Sequence, residues 1–116
     1  MKKLVSILLA FSLTLASNSL LAHAKMVTSI PANNASYDTP LNAIELNFKA
    51  PSRLIKLTLK TQGKKIPLDF KLSAQAKSSF KIPLPTLEKG QYQLEWITLG
   101  SDGHKMKSKI NFNQAK

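Results

Sequence analysis

Apolar and polar residues alternate with a period of two from Ile44 almost to the C-terminus, and this pattern constrains the fold more than any other feature of the chain. In an extended strand, successive side chains point to opposite faces, so the pattern buries one face and leaves the other in water. Segments of this kind lie at residues 44–48, 55–60, 66–72, 80–84, 92–96 and 105–112. The alternation places Ile55, Leu57 and Leu59 on the inward face of the second segment, and Tyr92, Leu94 and Trp96 on the inward face of the fifth. No segment keeps an apolar period of 3.6 residues over three helical turns, so the pattern predicts strands and not helices.

Turn signals divide these segments into short strands. They lie at residues 61–64, 73–79, 88–90 and 100–103. Pro67 marks its segment as a sheet edge, and Pro83 and Pro85 confine theirs to an edge or cut it short, because proline has no N–H to donate to a neighbouring strand. A further strand is expected at residues 26–30, ended by Pro31. Six or seven short strands in one domain predict an all-β, antiparallel sandwich of Greek-key type.

The first 22 residues have the features of a cleaved export signal. Two lysines are followed by an apolar stretch at residues 4–15 and then by small residues that end at Ala22. The apolar stretch is too short to cross a bilayer, which takes about 20 apolar residues. We therefore expect a signal peptide at 1–22, one domain at 23–116 and an extracytoplasmic protein without stable membrane insertion. The chain has no cysteine, so it can form neither disulfides nor thiolate metal sites.

Two cleavage points compete at the end of this signal. Ala22, His23 and Ala24 form an A-x-A motif, and a cut after Ala24 would leave Lys25 as the first residue. A cut after Ala22 puts the larger Leu20 three positions before the broken bond, which the small-residue rule disfavours. Only the cut after Ala22 gives His23 a free α-amine.

The chain is strongly basic, with 17 lysines and arginines against 6 acidic residues. Arg53 is its one arginine, although arginine is the usual choice for bidentate phosphate recognition. The lysines alternate with apolar residues, as on the solvent face of strands, where lysine also guards against edge-to-edge aggregation. We therefore expect these lysines to lie on a solvated surface that is weakly attracted to the anionic cell envelope, and we expect no nucleic-acid partner.

The two histidines carry the most informative chemistry. His23 follows the export signal, and His104 lies beside Asp102 in a turn that contains Gly103. A free α-amine, two imidazoles and a carboxylate are the nitrogen and oxygen donors that tetragonal copper(II) prefers. If the fold brings the chain start to this turn, His23, Asp102 and His104 form a copper(II) site.

Each of these residues also has a purely structural interpretation. His104 is equally typical of a strand end at which Asp102 only stabilises its own turn. His23 is also consistent with a discarded signal residue. Met26 and Met106 could supply sulfur near the metal, but methionine more often fills gaps in a core.

The chain resembles the CopC family of periplasmic copper-binding proteins. At the N-terminal end the resemblance rests on the following residues: His23, Ala24, Ser29, Ile30, Pro31, Ala32, Ala35, Pro40, Ile44, Leu46, Phe48 and Pro51. At the C-terminal end it rests on Gly90, Gln91, Tyr92, Trp96, Ser101, Asp102, Gly103, His104 and Phe112. Two positions depart from the family pattern: Gly100 replaces a small polar residue, and Lys105 stands where proline is common.

The resemblance implies an immunoglobulin-like β-sandwich or barrel that binds one copper(II) ion. The implied ligands are the amine and side chain of His23 together with Asp102 and His104. The methionine-rich segment that gives some members a separate copper(I) site is absent. An inner-membrane copper importer is an implied partner of what we expect to be a monomer.

Two other functions remain open from the sequence. One is a copper oxidase that uses the same N-terminal histidine brace, although the small domain offers no obvious substrate platform. The other is a metal-free immunoglobulin-like interaction module. The interpretation we carry forward is a non-enzymatic copper(II) carrier or buffer.

Overall fold

The structure, a computed structural model, describes residues 26–72 and 74–116, and in residues 26 and 27 only the backbone. These residues form no helix, and the predicted all-β, immunoglobulin-like sandwich is confirmed. The strands are β1 Met26–Ile30, β2 Ala35–Tyr37, β3 Ala43–Thr61, β4 Lys64–Ile66, β5 Lys77–Pro83, β6 Gly90–Gly100 and β7 Lys105–Gln114. Within the described ranges, no helix is long and apolar enough to cross a membrane.

The centre of the fold is β3, a strand of 19 residues that the sequence pattern predicted as two. Its first half pairs with β1 and β5, and its second half pairs with β4 and β6. Between the two halves, residues 49–51 have no partner in any of these registers. Pro51 fits there because it has no N–H to contribute to a ladder. One strand therefore connects both halves of the curled sheet.

The two other long strands, β6 and β7, are each antiparallel to the strand before them in the sheet. β6 pairs with the second half of β3 on one side and with β7 on the other. β2 lies beyond β7 and runs parallel to it, from Ala35 opposite Phe112 to Tyr37 opposite Gln114, which differs from the antiparallel order predicted from the sequence. The sheet order is thus β1-β3-β6-β7-β2, with β4 and β5 also on β3.

The core lies on one face of these strands, as the period of two predicts. Its buried apolar side chains are Ile44, Leu46, Phe48, Leu54, Leu59, Ile82, Leu87, Tyr92, Leu94, Trp96, Ile110 and Phe112. Each fully buried aliphatic or aromatic side chain contributes about 1.5–3 kcal/mol to folding. The hydroxyl of Tyr92 donates a hydrogen bond to the backbone carbonyl of Glu88, four residues earlier, a corner typical of immunoglobulin-like sandwiches.

One inward residue was wrongly assigned from the pattern. The prediction placed Ile55 in phase with Leu57 and Leu59, whereas Leu54 is the fully buried residue. The β3–β6 register shifts between Leu54 and Lys56, which leaves Ile55 as the extra residue of a β-bulge. A bulge changes the phase of the alternation, so a strict period of two fails across it.

Two strand boundaries and one whole strand also differ from the prediction. The strand expected at residues 66–72 ends at Ile66, directly before Pro67. β5 begins at Lys77, inside the segment predicted as a loop, and among the described strands it pairs only with β3, as its prolines predicted for an edge strand. β2 was not predicted, because three residues are too few to show an alternation.

Candidate metal centre

Asp102 and His104 lie in the hairpin turn that connects β6 to β7. The N–H of Gly103 donates to the carbonyl of Gly100 at 3.0 Å, and the N–H of Gly100 donates to the carbonyl of His104 at 2.9 Å. Gly103 has a φ of 83°, in the left-handed region that residues with a Cβ rarely adopt. The glycine therefore permits the tight turn that holds residues 102 and 104 on the same loop.

The side chains of Asp102 and His104 contact each other directly. Oδ2 of Asp102 lies 2.9 Å from Nδ1 of His104, and Oδ1 accepts the backbone N–H of His104 at 3.1 Å. With Nδ1 donating to the carboxylate, Nε2 carries the free lone pair of the neutral ring. The imidazole is 79% exposed and the carboxylate 51% exposed. This pair presents an oriented imidazole nitrogen to solvent, the arrangement in which a carboxylate commonly holds a metal-binding histidine.

Gly100 makes room for this pair, a role that the sequence analysis missed. A Cβ at position 100 would lie 2.8 Å from Oδ1 of Asp102, closer than such atoms normally approach. A glycine at the end of a strand could have indicated a close approach at this position, but the sequence does not show which atom approaches it. Beside the pair lies a small cleft of about 140 Å³, lined by Ala50, Pro51, Ser52, Gly100, Ser101 and Asp102.

The start of β1 and the end of β6 share one edge of β3. Residues 45–47 of β3 pair with both β1 and β5, so these two strands occupy opposite edges. Ser52 pairs with both Lys77 of β5 and Gly100 of β6, so β6 also lies opposite β5. β1 and β6 therefore follow each other along the same edge, and the unpaired residues 49–51 of β3 separate them.

The direction of β1 points its N-terminal end toward the turn. Met26 lies opposite Phe48, and Gly100 lies opposite Ser52. Because β1 is antiparallel to β3, its N-terminal end at Met26 points in the direction of Ser52. Phe48 and Ser52 are four residue steps apart along β3, a distance of about 13 Å at the usual rise of a strand.

The remaining candidate residues have different outcomes. His23 and the proposed cleavage points lie outside the described residues. Met106 is half-buried and pairs with Thr98 on the core-facing side of β7, which favours the structural interpretation of this methionine. Within residues 26–72 and 74–116, no group of three His, Cys, Asp or Glu side chains could hold a metal ion. Asp102 and His104 therefore need a donor from elsewhere to complete a site.

A comparison with protein families assigns the chain. The model of the CopC domain matches residues 26–115, which include every described strand. The chain belongs to the CopC family. The matched range contains Asp102 and His104 and begins three residues after His23.

Individual relatives agree with this assignment. Copper resistance protein C of Xanthomonas campestris pv. juglandis is 32% identical over an alignment of 113 positions, and the match covers 86% of this chain and 86% of that protein. The crystal structure of CopC from Methylosinus trichosporium superposes with a TM-score of 0.65 at 20% identity, over 80% of this chain and 94% of that one. PcoC, a methionine-rich copper resistance protein from Escherichia coli, gives 0.59 at 20% identity, over 79% and 98% of the two chains. These structures share the fold of this CopC domain.

Proposed function

We propose that the chain is an exported copper(II)-binding protein that carries or sequesters one ion per molecule. Its ligands are the α-amine and imidazole of His23, the imidazole of His104 and the carboxylate of Asp102, which binds or orients. The observation that supports the proposal is the shared edge of β3, along which the N-terminal end of β1 points toward the Asp102–His104 pair. The name of the Xanthomonas relative, copper resistance protein C, supports copper as the cargo.

The length of chain between His23 and Met26 is consistent with this site. Three extended residues span about 10 Å. In the proposed site, the side chains of His23 and His104 cover the remaining distance across the gap opposite residues 49–51. Both donors of an N-terminal histidine come from one residue, so little extra chain entropy is lost in placing the second donor.

The donor set determines the kind of copper site. Nitrogen and oxygen donors without a cysteine give an ordinary tetragonal copper(II) centre and exclude a blue-copper centre. The amine and imidazoles must lose protons before they bind, so affinity rises with pH. The protein's overall positive charge opposes a cation, and Asp102 and the chelate geometry offset that repulsion.

Export is part of the proposal because it creates the amine. Residues 1–22 act as the signal, cleavage follows Ala22, and the domain 23–116 works in the periplasm. There it delivers copper to an inner-membrane importer or holds excess ion. Intact mass of the exported protein tests this step, and a first residue of Lys25 would contradict the chelate.

The deciding experiment compares two forms of the domain. One begins at His23, and the other keeps a methionine before it, which converts the amine into a peptide nitrogen and leaves the imidazole in place. Competition for copper(II) against one chelator should show a loss of at least a hundredfold in the extended form. His104→Ala in the processed form provides the reference for a lost ligand.

Each alternative predicts a different result. Equal copper(II) affinities of the two forms would exclude the N-terminal chelate, even if both forms bind copper. No stoichiometric binding in either form would favour a metal-free interaction module. Turnover of a substrate with peroxide or ascorbate by the copper-loaded protein would favour a histidine-brace oxidase.

A further inference from the structure

The outer face of the β3–β6–β7 sheet carries a dense group of cations. We call this surface the cationic face and define it by Arg53, Lys56, Lys60, Glu95, Ile97, Leu99, Lys105, Lys107 and Lys109. All point away from the core, because the buried residues of β6 are those at positions 92, 94, 96 and 98. Residues paired across an antiparallel ladder share a face, so the registers fix the other members.

The cationic face has an apolar centre. Ile97 of β6 pairs with Lys56 on one side and Lys107 on the other. In the next row, Leu99 pairs with Arg53 and with Lys105. Ile97 and Leu99 are both half-buried between these long side chains. Each row thus places two cations around one aliphatic side chain.

The charge of this face is not balanced by the sheet itself. Its six cations face one carboxylate, Glu95, which leaves five net positive charges. Within the described part of the chain, none of the six forms an ion pair. Lys56 and Lys107 are two strands apart, about 10 Å at the usual strand spacing, so a single flat anionic surface can contact both.

We propose that the cationic face docks on an anionic phospholipid surface. Five of its six cations are lysines, which attract headgroup phosphates as mobile point charges without needing the fixed geometry of arginine. Ile97 and Leu99 offer aliphatic contact at the centre, and nothing on the face offers the aromatic stacking that nucleic-acid bases favour. Copper binding is not required for this docking.

Docking would place the Asp102–His104 turn at the membrane. Leu99 of the cationic face precedes Gly100 directly, and Lys105 follows His104 directly. A protein bound through this face therefore holds the hairpin turn at the level of the lipid headgroups. A membrane-embedded partner would meet the metal-binding residues there without a search through solution.

Sedimentation with lipid vesicles tests the proposal in the natively processed protein. We expect binding to vesicles rich in phosphatidylglycerol, no binding to pure phosphatidylcholine, and release as the salt concentration rises. The double variant K56E/K107E reduces the face to one net positive charge. The partition coefficient of this variant should fall by about a hundredfold, because two charges that the anionic surface attracts are replaced by two that it repels.

The matched control is K71E/K77E, which changes the overall charge equally on the other edge of β3. It should lose less than threefold, and circular dichroism should show both variants folded. Equal losses in the two variants would overturn the proposal in favour of net charge alone. Absence of binding to anionic vesicles would also overturn the proposal. So would binding to duplex DNA that is tighter than binding to vesicles and that K56E/K107E weakens by the same factor.

Discussion

Nδ1 of His104 lies 2.9 Å from Oδ2 of Asp102, and Oδ1 of the same carboxylate accepts the backbone N–H of His104 at 3.1 Å. Asp102 thus fixes both the ring and the backbone of the residue two positions later. The arrangement leaves Nε2 of His104 as the nitrogen that can bind a metal. The two residues therefore have different roles, and their substitutions should have effects of different size.

Replacement of the two residues should separate ligation from orientation. His104→Ala removes a nitrogen donor and should weaken copper(II) binding by at least a hundredfold. Asp102→Asn keeps an oxygen for the backbone N–H but loses the carboxylate, and should weaken binding by about tenfold. Competition titration against a chelator measures both. Asp69→Asn, another exposed carboxylate, serves as the control, and equal losses at positions 102 and 104 would contradict the orienting role.

Substitution of Gly100 should disturb the same pair without removing either member. In Gly100→Ala, the new Cβ meets Oδ1 of Asp102 at 2.8 Å, so the carboxylate must turn away. We expect a loss of copper affinity close to that of Asp102→Asn, with a change in the ¹⁵N chemical shifts of the His104 ring. The two losses should not add in the double variant, because both act through one contact. Additive losses would show that Gly100 acts elsewhere.

The buried hydroxyl of Tyr92 should make stability depend on pH in the alkaline range. Burial, followed by the negative charge of Glu88, raises the pKa of Tyr92 above its ordinary value of 10.0. Above that ordinary value the unfolded state loses its proton first, so the unfolding free energy falls as pH rises through the folded-state pKa. Tyr92→Phe should therefore show a shallower decline above pH 10 in urea titrations.

The same variant has an internal control at neutral pH. There it should lose only the hydrogen bond to Glu88, at a cost of about 1 kcal/mol. Parallel declines of the two proteins above pH 10 would contradict the assignment to Tyr92.

The side chain of Gln114 should hold β2 in place. This residue is fully buried, and its Nε2 donates to the carbonyls of Thr39 at 2.9 Å and Tyr37 at 3.3 Å. Gln114→Ala removes this donor from the Thr39 carbonyl and one of two donors from the Tyr37 carbonyl, and should cost about 2 kcal/mol of unfolding free energy. Hydrogen exchange at Ala115, whose N–H donates to Tyr37, should become faster. Gln91→Ala, at an exposed glutamine, should cost little, and equal costs would contradict this role.

The strands with a clean alternation could be predicted from the sequence. In β6, the predicted inward positions of Tyr92, Leu94 and Trp96 are confirmed. They could be predicted because one face of that strand is apolar and the other polar, which the neighbouring residues alone determine. The phase near Ile55 was wrong because a β-bulge is decided by the partner strand. β2 could not be predicted either, since its three residues depend on contacts with the last ten residues of the chain.

For the candidate site, the sequence determined the residue types and the local turn. A glycine after aspartate dictates a tight turn with Asp102 and His104 close together, because that geometry depends only on neighbouring residues. The tertiary structure decided that β1 and β6 share one edge of β3, so that the N-terminal end of β1 points toward this turn. Pairing between strands so far apart along the chain follows from the packing of the whole sheet, and no local pattern of residues contains it.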